Sequence, residues 1–296
     1  MSPFPVRPAI LVLLLAATPG CDDSPGSADA RLDAADAFDV EPDAPSPDGD
    51  VPDVPADGPA DQPAELPADV PLDATDTPPR PCPSGMALVE DAFCVDLHEG
   101  ALEEQAPDGS WVPASPYLTV GARAVRAVPA AGIPPQGYIS GLEAAAACAA
   151  SGKRLCTSDE WLAACRGPAA SLYPYGDEHV DGACNDHYAG GHPVVDFFGT
   201  SEGVWDMTHM NDPGINQQPG TVAPGGSFAA CVSAWGAFDL HGNLHEWVAD
   251  ADGTFRGGCY ADASLNGPGC TYRTGAHASS YHDYSTGFRC CADPAR

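Results

Sequence analysis

Apolar and polar residues alternate over short runs from Cys82 to Glu99, in CPSGMALVEDAFCVDLHE, which predicts edge strands closed by a local Cys82–Cys94 loop. Two stretches then take up helical spacing. Ser140-Gly141-Leu142-Glu143 is a capping box opening an Ala-rich helix that stops at Gly152, and Thr157-Ser158-Asp159-Glu160 opens a second that stops at Gly167-Pro168. Cys148 falls on the first, while Trp161 and Cys165, four apart, share one face of the second, so both faces should point inward. Beyond Gly167 the chain carries turn signals and short strands but no long helical period. At the other end, Arg7 precedes an apolar run from Ala9 to Ala17, the layout of a secretory signal and too short to span a bilayer in a mature protein. Small residues with Gly20 last lead into Cys21, which predicts cleavage after residue 20 and acylation of Cys21; Thr18 and Pro19 are unusual in such a site, and plain secretion is the alternative.

Composition divides the remainder of the chain in two. Residues 21–80 are nearly all Asp, Ala, Pro and Val, with 17 acids against Arg31 and Arg80, a net charge of −15. A segment like that cannot bury enough apolar surface to offset its ordering entropy, and its charge keeps it extended, so it reads as a disordered spacer. Residues 81–296 carry 25 acids and 9 bases, a net charge of −16, and are long enough for one core. Such an acidic domain does not favour nucleic acid, and the membrane enters only through the anchor at Cys21.

Eleven cysteines lie between Cys82 and Cys291, downstream of a signal for an oxidising compartment, so disulfides are the expectation. No Cys-x-x-Cys pair exists, and the adjacent Cys290 and Cys291 cannot easily face one metal together, which argues against structural zinc.

Five motifs in order resemble the formylglycine-generating-enzyme (sulfatase-modifying factor) family. They are Gly152-Lys153-Arg154-Leu155-Cys156-Thr157 leading to Glu160-Trp161, Tyr173-Pro174-Tyr175-Gly176, Asp239-Leu240-His241-Gly242-Asn243-Leu244-His245-Glu246-Trp247, Arg256-Gly257-Gly258, and Gly287-Phe288-Arg289-Cys290. The resemblance implies an α+β, C-type-lectin-like fold with little regular structure, and disulfides Cys148–Cys290 and Cys165–Cys270. Loops of that length carry on the order of 4–5 kcal/mol each in the chain-entropy model. Proximity and elimination add Cys82–Cys94, Cys184–Cys231 and Cys156–Cys291, leaving Cys259 over.

Oxidases of the family use two thiolates, five residues apart and shortly after Arg-Gly-Gly-Ser, to hold copper(I), a soft ion suited to soft ligands. Here Asp262 stands in the first place and Gly267 near the second, while Cys259 replaces the serine. An oxidase reading, cysteine to formylglycine with copper and O2, would have to use Cys259 with Cys270. A third reading, a non-haem metal-dependent enzyme, has His187, His192, His277 and His282 as candidates, none paired at i, i+4 on a helix; His277 and His282 could equally line a groove.

Structural calcium is the cofactor that the resemblance implies. Asp239, Gly242, Leu244 and Glu246 would be its ligands, with a second site at Asn185 and Asp186 completed by Asp196 or Glu202. Trp205, Trp235 and Tyr260, read as exposed, permit a peptide, protein or glycan ligand, yet core packing explains those rings as well. The sequence thus favours a non-catalytic binding or structural module, exported and lipid-anchored at a bacterial membrane, facing the periplasm or the cell surface.

Overall fold

In a computed structural model, residues 82–295 are described, apart from 252 and 276. The signal segment, Cys21 and the acidic spacer lie outside the described residues.

The domain is α+β, with short elements joined by long turns. In chain order they are β1 (Met86–Val89), β2 (Phe93–Asp96), β3 (Gly100–Gln105), β4 (Trp111–Pro113), β5 (Val125–Pro129), α1 (Gly141–Ala150), β6 (Arg154–Leu155), α2 (Ser158–Arg166), α3 (Pro193–Phe198), α4 (Met207–Met210), β7 (His245–Trp247), β8 (Phe255–Arg256), β9 (Arg273–Thr274), β10 (Thr286–Phe288) and β11 (Cys290–Ala292). They make three sheets, ordered β1-β2-β11-β6, β10-β7-β8-β9 and β4-β3-β5. The first sheet corrects the sequence reading at one point. Of the two strands read as edges, β1 is one; β2 is interior because β11 pairs with its far side, Cys291 opposite Val95.

Both capping boxes form. Ser140 Oγ accepts from the Glu143 amide at 3.3 Å while the Glu143 carboxylate accepts from the Ser140 amide at 2.9 Å. Thr157 and Glu160 repeat the exchange at the start of α2, and Gly167 ends that helix with φ near 61°. Each box satisfies amides that the helix itself leaves unpaired. Trp161, Ala164 and Cys165 of α2 pack with Val89, Phe93 and Leu240 in one core cluster; Ala144, Ala147 and Cys148 of α1 pack with Trp247, Phe255 and Phe288 in a second.

Among the described residues, five disulfides join these layers: Cys82–Cys94, Cys148–Cys290, Cys156–Cys291, Cys165–Cys270 and Cys184–Cys231. They are the five pairs named from the sequence. Neighbouring residues of a strand point to opposite faces, so Cys290 reaches α1 while Cys291 reaches the turn before α2. Cys259 is not left over as a free thiol: it is buried, and no described cysteine is free.

Candidate functional site

Two polar clusters sit beside the Asp239–Trp247 segment, one sealed and one open. The sealed cluster centres on Arg289, which is fully buried. Its Nε and Nη2 donate to the two Glu246 oxygens at 3.0 and 2.8 Å, and Nη1 and Nη2 donate to the Asp96 and Phe238 carbonyls at 2.8 and 2.6 Å. Trp161 Nε1 adds a bond to Glu246 at 2.7 Å. The parallel pairing of β10 with β7 sets Gly287 opposite Glu246 and so aims the two motifs at one another.

Glu99 and Asp239 complete this cluster. Glu99 accepts from the Leu244 amide at 3.1 Å and from Asn243 Nδ2, and Asp239 accepts from the Gly226 amide at 2.7 Å. Burial first, then the Asp239 and Glu246 charges, push the Glu99 carboxyl well above its ordinary range. Burial likewise pushes Asp239 up to about 6, against the pull of the Gly226 amide and Arg289.

These partners decide the calcium question for the residues named from the sequence. A calcium ion needs six to eight oxygens with free lone pairs. The Glu246 carboxylate is already held from two directions by Arg289 and Trp161, and Asp239 is turned to Gly226, so this donor set does not fit a bound cation. Gly242 serves a different purpose. With φ near 80°, it passes so close to the Asn185 carbonyl that a Cβ would collide with it, while the Asn243 amide donates to that carbonyl at 2.7 Å. The second proposed set fares no better: Asn185 Nδ2 donates to the Thr221 carbonyl and to Asn243 Oδ1, each at 2.9 Å, Asp196 interacts with the Tyr188 hydroxyl, and Glu202 is exposed.

The segment after Arg256-Gly257-Gly258 offers no pair of thiolates. Asp262 Oδ1 accepts from the Ser264 and Leu265 amides at 3.0 and 2.9 Å and Oδ2 from the Tyr272 hydroxyl at 3.1 Å, so it stabilises a turn. Gly267 has φ near 115°, a conformation that suits glycine. Cys270, the partner that an oxidase reading would give Cys259, is bonded to Cys165. The Cys259/Cys270 assignment is therefore corrected: neither sulfur is a thiol.

The open cluster lies on the other side of Gly242, on the wall of a cleft of about 640 Å³ lined by Tyr173, His179, Asp186, His187, Phe228 and His241, among others. Asp186 Oδ2 stands 2.7 Å from His179 Nε2 and 3.2 Å from His241 Nε2. Burial raises the Asp186 carboxyl, but hydrogen bonds from His241 and then His179 outweigh it and hold the group below its ordinary value. His241 is buried with Tyr173 edge-on to its ring at 5.2 Å, and its Nδ1 has no hydrogen-bond partner among the described residues.

None of the four histidines considered from the sequence joins this cluster. His187 lines the same cleft but is exposed, His192 caps α3 by accepting from the Val194 amide at 3.2 Å, His277 stacks on Tyr281, and His282 bonds to Asn211. The rings read as an exposed surface are also placed otherwise. Tyr260 is fully buried and donates to Asn216 Oδ1 at 2.7 Å, while Trp205 and Trp235 are half-buried and donate to the Ser201 and Ala163 carbonyls.

The model of the "Sulfatase-modifying factor enzyme 1-like domain" family matches residues 122–294. The chain belongs to this family. The sulfatase-modifying-factor domain therefore covers both clusters except for Asp96 and Glu99, which β2 and the turn into β3 bring in from outside the matched region. Its fold is α+β with little regular secondary structure, as expected from the motifs. Among solved structures, the Major Tropism Determinant I1 variant aligns at 15% identity and a TM-score of 0.41, and the U1 variant at 17% and 0.38. Each alignment covers 73% of this chain and 54% of the other, so the chain spans about half the length of those structures. No curated protein matches the chain.

Proposed function

We propose that this sulfatase-modifying-factor domain is a binding or structural module rather than a formylglycine-forming oxidase, carried on an exported chain anchored by lipid at Cys21 and spaced from the membrane by residues 22–80. One observation carries the reading: Asp262 and Gly267 occupy the places of the family's copper ligands, and the sulfur that could have compensated, Cys270, is tied to Cys165. Carboxylate and glycine cannot supply the two soft donors that a cuprous ion requires.

Five disulfides within the described residues support an oxidising destination. No helix among them is long and apolar enough to cross a membrane. The concave wall beside Tyr173 and Phe228 is the seat for a peptide, protein or glycan ligand, since the tryptophans and Tyr260 are taken up by packing.

The test is direct. The full chain is incubated with copper(I) and a cysteine-containing peptide in air, and the peptide is followed by mass spectrometry. Unchanged peptide and no stoichiometric copper uptake are expected; turnover to an aldehyde would refute the module. Palmitate labelling of the wild type but not of Cys21→Ala in a bacterial host tests the anchor separately.

A further inference from the structure

We infer that His179, Asp186 and His241 form a binding site for a divalent first-row transition ion, with its remaining positions open to the cleft.

The donor set selects the class of ion. Two imidazole nitrogens and one carboxylate oxygen suit zinc, iron or cobalt in the divalent state and are too few and too nitrogen-rich for calcium or magnesium. The three ligating atoms all lie within 4.8 Å of one another. Metal–ligand bonds of about 2.0–2.2 Å place neighbouring ligands roughly 3 Å apart, which the Asp186 separations of 2.7 and 3.2 Å already approach. Only the two ring nitrogens must draw together, and the rings stand edge to face at an interplanar angle of 80°.

The backbone around two of the ligands is rigid. Asp186 follows the Cys184–Cys231 bridge, and Cys231 Sγ lies 3.6 Å from the His241 carbonyl oxygen. Between them the Asn185 carbonyl is clamped against Gly242 and Asn243. A site held this way loses little entropy on binding. His179 differs, sitting on an exposed loop with a side chain 41% exposed, so it closes the site from the solvent side. Without an ion, the Asp186 carboxylate between two rings is an ordinary hydrogen-bonded group, and the experiment must separate these two states.

The cluster owes nothing to the copper chemistry of the family and lies on the other side of Gly242 from Glu246 and Arg289. It also stands whether or not the module reading holds, because its readout is metal affinity and not turnover.

Full chain freed of metal with EDTA is titrated with cobalt(II) chloride and followed by visible absorption, then with zinc chloride in a thermal-unfolding assay. One saturable equivalent of cobalt is expected, displaced by zinc, and zinc should raise the unfolding temperature. His179→Ala and Asp186→Asn should each weaken cobalt binding at least tenfold, whereas His187→Ala, on the same cleft wall, should leave it unchanged. His179→Ala without metal should unfold at the wild-type temperature, which shows that the loss is one of ligation. Absence of saturable cobalt and zinc binding in the wild type would overturn the site. So would wild-type affinity in both ligand variants, or an equal loss in His187→Ala.

Discussion

The clusters around Arg289 and Asp186 are built from the same segment, Asp239 to Trp247, yet they use their charges in opposite ways. In the first, three carboxylates and one guanidinium are sealed from solvent, and carbonyls, amides and an indole complete the bonding. In the second, one carboxylate and two imidazoles border a cleft. A buried group whose partners are all fixed by the fold can hold layers together but cannot accept a guest. Asn243 stands between the two: its Nδ2 donates to Glu99, and its amide donates to the Asn185 carbonyl next to Asp186.

The strongest way to break this contrast is Arg289→Met. It leaves three buried acids without their cation, and a loss of about 3–5 kcal/mol is expected, the size found when one partner of a buried pair is removed. Chemical denaturation reads it, and a variant as stable as the wild type would mean that Arg289 is not the centre of the core. Removing the Cys148–Cys290 bridge with paired serines comes next, at about 2–4 kcal/mol. That change should leave cobalt binding at the Asp186 cluster intact if the two regions are separable.

The pH dependence sharpens the comparison further. A carboxyl whose folded value is raised keeps its proton in the fold where the unfolded chain has lost it. Glu99 therefore contributes stability at low pH that is lost as pH rises from the ordinary glutamate range through its raised value. One such proton gives a slope of at most about 1.4 kcal/mol per pH unit. Denaturation midpoints should decrease as pH rises above the ordinary glutamate range in the wild type and be flatter in Glu99→Gln, which also lacks an acceptor for the Leu244 amide or Asn243. Below the ordinary carboxylate range the trend reverses, since Glu160, held low by Arg154 against the effect of burial, loses its partner on protonation. The smallest effect is that of Ser140→Ala, about 1 kcal/mol for a lost cap, with no change in metal binding.

The fold was legible where its causes are local. Capping boxes at Ser140 and Thr157 announce two helices within a few residues, and the spacing of motifs announces the family. Features that depend on strands or loops meeting across the chain were harder to read. Nothing near Phe93 tells that β11 will pair on its outer side. Glu246 and Arg289 both stood in quoted motifs, but sequence does not say that they bond to each other, and calcium was assigned to a carboxylate that the guanidinium already holds. Tyr260 looked exposed in a loop although its ring fills a core cluster with Tyr138 and Tyr284. The cluster at Asp186 escaped because ligands were sought at helical spacing. His179 and Asp186 sit seven apart in a loop, and His241 arrives from a distant segment. A His and an Asp on either side of a bridged Cys184 was the one hint available.

Because Cys290 and Cys291 face opposite ways, their two bridges cannot exchange partners without turning the strand over. Joining Cys148 to Cys291 and Cys156 to Cys290 would need β11 to slip by a residue, which would break its pairing of Cys291 with Val95. The alternation of the pleat thus assigns each of the two adjacent sulfurs to its own layer.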